Sequence, residues 1–150
     1  MTTVPYRFTN EMLPGQAMVR LTLLLFKHGR GPNVLEQLPQ WEDEFRILVS
    51  LGEPGLRNLG LLVEYLMKVN EHATVDAMTE FLTPMGDEAK EIAMTVGEQL
   101  IEKGRQEGRQ EGRQEEKREV ARRLLARGMN PAEVAESTEL SLEEVQKLAH

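Results

Sequence analysis

Residues Gly104 to Glu115 state one tetrad, Gly-Arg-Gln-Glu, three times without interruption. In an α-helix each tetrad advances about 400°, so equivalent residues stack one turn apart in four slowly drifting stripes. With glycine as origin, arginine falls about 100° ahead and glutamate about 60° behind. A bare glycine stripe therefore runs between a basic flank and an acidic flank. The surrounding sequence, about Asp87 to Arg127, reads as a single long helix.

Alone, such a helix is poor. Three interior glycines cost about 1 kcal/mol each relative to alanine. Arg105, Arg109 and Arg113 stack like charges at i,i+4, and so do Glu107, Glu111 and Glu115. Association supplies what the isolated helix lacks. In a parallel pair the acidic flank of one copy faces the basic flank of the next, whereas an antiparallel pair opposes like flanks. Small residues at four-residue spacing let two backbones approach closely, although these charges exclude a membrane setting. The expectation is a parallel homo-oligomer joined by a coiled-coil-like seam. Gly104, Gly108 and Gly112 provide close approach, and Arg105, Arg109 and Arg113 against Glu107, Glu111 and Glu115 set register and direction. The plainer alternative is a fraying, solvated helix.

The chain has 150 residues, 40% of them hydrophobic and only 5% aromatic, which is enough for one modest core supplied mostly by the segment before the repeat. A net charge of −7 argues against general affinity for nucleic acid, which needs clustered Lys and Arg. Absence of cysteine removes disulfides and thiolate chemistry and suits a reducing cytosol, so a cytoplasmic location is expected. Met1 to Gln16 lacks the charged start and apolar run of a signal peptide, and Leu23 to Phe26 is far too short to span a bilayer.

Periodicity predicts an all-α chain in four parts. Residues 1–15 form an irregular lead-in and 16–86 a small helical domain. Residues 87–128 form the long oligomerisation helix, and 129–150 two short terminal helices in a helix-turn-helix-like unit. In the helical domain, Ala17, Leu21, Leu24, Leu25 and His28 share one helix face before Gly29-Arg30-Gly31-Pro32 stops it. Trp41, Phe45 and Leu48 mark a second helix whose early Glu42, Asp43 and Glu44 suit its positive pole. Leu56, Leu59, Val63 and Leu66 mark the central core helix. Thr74 caps a short helix ended by Pro84 and Gly86. Ile92, Val96, Leu100 and Ile101 give the start of the long helix an apolar face. No period-two stretch supports a sheet. Past the repeat, Val120, Leu124 and Leu125 restore an apolar face, Gly128 closes the helix, and Asn130 and Ser141 cap the two terminal helices.

Catalytic chemistry finds little footing. A recognition helix must bring Arg, Lys, Asn or Gln to base edges, yet the last helix opens with Glu143 and Glu144 and offers only Gln146 and Lys147. A packing or interaction module is the preferred reading of the terminal unit, with DNA reading as the alternative. His28, His72 and His150 each lack a second ligand at i+3 or i+4, so neither a metal nor another cofactor is expected. Ser50, Ser137 and Ser141 have no nucleophile-elbow setting. Two short acidic-x-Lys patterns, Glu88-Ala89-Lys90 after Asp87 and Glu115-Glu116-Lys117, match a fragment of a metal-dependent nuclease signature. Both fall on expected helix, which splays their side chains, and neither is taken as catalytic.

The run from Val96 to Gly108, the continuing tetrads, the close Arg118 to Met129 and the ending Ala132 to Val145 come in an order that resembles the C-terminal half of the Rpn family. These are the recombination-promoting nucleases, also described as YhgA-like transposases. Weaker agreement extends upstream through Arg20 to His28 and Leu61 to His72, so the resemblance covers roughly residues 16–147. It implies a non-catalytic partner of a PD-(D/E)XK endonuclease core that this chain does not contain, and no catalytic residue carries over. In this family the C-terminal portion is also made separately, from an internal start, and restrains the toxic full-length nuclease in defence against phage. The length of this chain and its beginning at Met1 fit that arrangement, and fit a cloned fragment or a degraded gene copy equally well. The expected partners are further copies of itself and a full-length Rpn-type nuclease, without membrane association and without direct nucleic-acid binding. The alternative is a nucleic-acid-binding accessory module of a transposase-like protein.

Overall fold

The computed structural model describes residues 13–150, and among them every regular element is helical. The expected irregular lead-in falls mostly outside these residues. The first helix starts at Pro14, two residues earlier than periodicity suggests, because proline suits the first helical turn. The chain is all-α. It divides into two compact units, Met1–Ile101 and Glu102–His150.

The N-terminal unit contains α1 (Pro14–His28), α2 (Val34–Gln37), α3 (Glu42–Ser50), α4 (Glu53–Val69), α5 (Val75–Leu82) and the start of α6 (Asp87–Ala126). Short 3-10 turns occupy Leu38–Trp41 and Thr83–Met85, where Pro39 and Pro84 fix the backbone. The apolar faces expected from periodicity are buried together: Leu21 and Leu25 from α1, Phe45 and Leu48 from α3, Leu59, Val63 and Leu66 from α4. Met78 and Leu82 of α5 and Ala89 and Ala93 of α6 join the same cluster. Phe45 meets Phe81 edge-on with ring centroids 5.1 Å apart, a favoured aromatic geometry. Thr74 caps α5 by accepting from the Ala77 N–H at 3.2 Å.

Two close approaches shape this unit. A Cβ on Gly55 would overlap the Leu48 carbonyl, and one on Gly97 would overlap a methyl of Val75. Glycine at these positions lets α4 follow α3 tightly and lets α6 lie against α5. Two polar side chains are also taken inside. Glu44, which the sequence offers as a charge at a helix pole, is buried and pairs with the Arg20 guanidinium at 3.3 Å. Buried Asn70 donates to the carbonyls of Gly29 and Gly31 at 2.8 and 2.9 Å, and its Oδ1 accepts from the His72 N–H at 2.9 Å. The loop after α1 thus has buried partners for its backbone.

The C-terminal unit gathers the end of α6, α7 (Pro131–Thr138) and α8 (Leu142–Ala149) around Ala121, Val134, Leu140 and Val145. Leu124, Leu125, Ala135 and Leu148 pack on this cluster half-buried. Gly128, at φ +86°, adopts the left-handed conformation that ends α6; its N–H reaches the Leu125 carbonyl and that of Met129 the Leu124 carbonyl, at 2.9 and 3.2 Å. The Asn130 side chain caps α7 by accepting from the Ala132 N–H at 2.9 Å. Ser141 and Glu144 form a reciprocal capping box on α8, both backbone bonds being 3.1 Å.

Candidate interaction face

The repeat is helical throughout, inside α6, and each of its residues from Gly104 to Glu115 is exposed. A Cβ added at Gly104, Gly108 or Gly112 would meet no other atom within 4 Å. The glycine stripe is therefore open along its full length among the described residues. Helical geometry sets Arg105, Arg109 and Arg113 on one flank and Glu107, Glu111 and Glu115 on the other.

The two ends of the repeat are tied to neighbouring charges, and its middle is not. Arg105 bonds Glu102, and Lys103 stands 3.9 Å from Glu107. At the far end Glu115 accepts from Arg122 at 3.0 Å and lies 3.5 Å from Arg118. Arg109, Glu111 and Arg113 have no ion pair among the described residues. The like-charge stacking evident in the sequence is thus relieved at both ends by residues outside the tetrads and left standing in the centre.

The terminal unit is joined by charge as well as by its small core. Lys117 of α6 bonds Glu139 at 2.8 Å, and Arg118 approaches Glu144 to 4.0 Å. Glu139 holds a left-handed φ of 59° at the turn between α7 and α8, a conformation uncommon outside glycine. Three carboxyls here titrate below their ordinary range. The hydrogen bond from Arg122 lowers Glu115, that from Lys117 lowers Glu139, and the Ser141 backbone N–H lowers Glu144. Nothing in the sequence singles out Lys117 as a link to the turn. Its partner lies 22 residues away, and no local period reports it.

The nuclease-like fragments do not come together. Asp87, Glu88 and Lys90 sit on the first turn of α6, with both acids exposed. Glu115 and Lys117 are taken up in ion pairs with Arg122 and Glu139. Among the described residues no three His, Cys, Asp or Glu side chains are grouped so as to hold a metal ion. His28 packs against Trp41 with ring centroids 5.7 Å apart, at the end of α1. On α8, Glu143 and Glu144 occupy the first turn, and Lys147 lies 3.2 Å from Glu143, which leaves Gln146 as the polar side chain without a charge beside it. No described helix is long and apolar enough to cross a membrane.

Neither a curated protein nor a solved structure matches the chain. A family model does: the Rpn/YhgA-like nuclease family, C-terminal HTH domain, matches residues 114–150. The matched segment takes in the last tetrad residues, the rest of α6 and both terminal helices. With the tetrad repeat leading into it, the end of this chain, residues 114–150, is similar to the C-terminal HTH domain of the Rpn/YhgA-like nuclease family.

Proposed function

We propose that this chain is a non-catalytic oligomerisation and regulatory domain of an Rpn-type DNA endonuclease. It acts in the cytoplasm without a cofactor and restrains the full-length enzyme as an antitoxin in defence against phage. The observation that carries this reading is the exposed glycine stripe of α6, flanked by arginines on one side and glutamates on the other, with Arg109, Glu111 and Arg113 lacking partners within the described residues. A second copy in parallel register supplies those partners. Pairing with the same region of a full-length nuclease holds cutting domains apart, or in the wrong number, for paired cleavage of a duplex.

Mass in solution tests the reading, and a monomer at concentrations on the order of tens of micromolar overturns it. Replacing Arg105, Arg109 and Arg113 by glutamate abolishes assembly, and mixing that variant with one carrying arginine at Glu107, Glu111 and Glu115 restores it. A second reading, DNA binding by the terminal unit, is favoured by the family's description of the domain as helix-turn-helix. The acidic opening of α8 weighs against base contacts from that helix. A gel shift with random duplex at low salt discriminates, since binding through phosphate contacts is strongest there.

A further inference from the structure

Two exposed faces of the N-terminal unit match one another in charge, spacing and hand. On α1 the side turned away from the core carries Val19, Leu23 and Phe26, each between 58 and 65% exposed, at the i, i+4, i+7 positions of a helical seam. Leu61 of α4 is also 56% exposed, and Phe26 touches Tyr65 edge-on at 5.3 Å between centroids. No acidic residue occurs anywhere in α1. Arg20 and Lys27 lie about 80° from the centre of the stripe on one flank, and Arg30 follows just past the helix end. α1 is thus apolar on opposite sides, a pattern of helices covered on both.

The second face is the outer side of α6 before the repeat. Met94 and Ile101 project from it, 44 and 67% exposed. Glu91 and Glu98 lie about 60° from them on one flank, and Asp87 and Glu88 add charge at the helix start. Val19 and Phe26 are seven residues apart, and so are Met94 and Ile101, so each seam spans about 10 Å. The basic flank of α1 and the acidic flank of α6 lie on the same rotational side of their seams. Flanks of the same hand meet when two helices run antiparallel. Antiparallel packing sets Phe26 beside Met94, Val19 beside Ile101, and Lys27 and Arg30 towards Glu91 and Asp87. Lys27, Arg30, Glu91 and Glu98 have no ion pair among the described residues.

We infer that the outer face of α1 docks the outer face of α6 from a second copy of this chain, antiparallel. The contact goes beyond the parallel seam proposed for the repeat and does not depend on it. It joins two different surfaces, so successive copies add head to tail until a ring closes or a chain grows.

The test uses the full chain with all six flank charges of the repeat replaced by glutamine, which leaves net charge unchanged and removes the repeat's contribution. Sedimentation of this protein shows association at concentrations on the order of 100 µM, as suits a small interface. Lys27→Glu with Arg30→Glu weakens it at least tenfold, Glu91→Lys with Glu98→Lys does the same, and an equimolar mixture of the two variants restores it, all with unchanged helical circular dichroism. Association that ignores these exposed substitutions, or a mixture as weak as its parts, overturns the inference. So does pelleting of the parent protein with phosphatidylserine vesicles that Lys27→Glu abolishes, because the α1 face then belongs to a lipid surface.

Discussion

At two helical positions of the N-terminal unit nothing larger than glycine fits: Gly55 is pressed against the Leu48 carbonyl and Gly97 against Val75. In the repeat, Gly104, Gly108 and Gly112 face open space, although alanine would suit an isolated helix better at each. The first pair is explained by packing that the chain makes with itself. The second set has no such explanation among the described residues, and that contrast supports the proposed seam between chains. Buried glycines record contacts already made, and under the proposal the exposed repeat glycines serve a contact with another copy.

Substitutions separate the two classes. Gly55→Ala sets a methyl into the Leu48 carbonyl and costs about 3 kcal/mol or more by overpacking, seen as an early unfolding transition in urea. Leu140→Ala costs about 2 to 3 kcal/mol, and its effect stays with the C-terminal unit, whose buried cluster is small. Circular dichroism then loses the signal of α7 and α8 while tryptophan fluorescence from Trp41, in the other unit, keeps its folded value. Gly108→Ala has the opposite sign. It raises helix stability by about 1 kcal/mol yet weakens self-association, because the added methyl holds the two backbones apart. A variant with alanine at all three repeat glycines that is both more stable and equally oligomeric would sink the close-approach explanation while leaving the charged flanks in play.

The smallest effect is that of pH. Glu115, Glu139 and Glu144 are all lowered from an ordinary value of 4.5. Their contribution is complete above that value and is lost as pH falls below it through the folded-state values, since protonation then costs the ion pairs of Glu115 and Glu139 and the Ser141 capping bond to Glu144. All three lie in the C-terminal unit, so on acidification its thermal transition moves down first. These groups face solvent, and salt weakens the same contacts, so the shift is larger in dilute buffer than in high salt.

Helical class, the core faces of α1, α3 and α4, and the caps at Thr74, Asn130 and Ser141 were legible because each rests on residues within one or two turns of one another. Helix period and cap chemistry are local rules. What escaped the sequence depends on partners far along the chain. Arg20 reaches Glu44, Lys117 reaches Glu139, and Gly97 makes room for Val75. The outer stripe of α1 escaped for another reason: periodicity reports the core face of a helix and does not say that a helix has two. The terminal unit was legible in shape, as three helices with the end of α6 as the first. Its family description came from similarity, not from any base-reading pattern in α8.

Asn70 fastens the loop after α1 through two carbonyls, on either side of Arg30. The peptide bond following Arg30 is a substrate for trypsin only when that loop lifts away, since a protease needs several residues free at once. Removing the amide, as in Asn70→Ala, lowers the free energy of that local opening without touching the main core. Cleavage at Arg30 therefore becomes a clock for how often this corner of the molecule comes undone, independent of whether the rest ever unfolds.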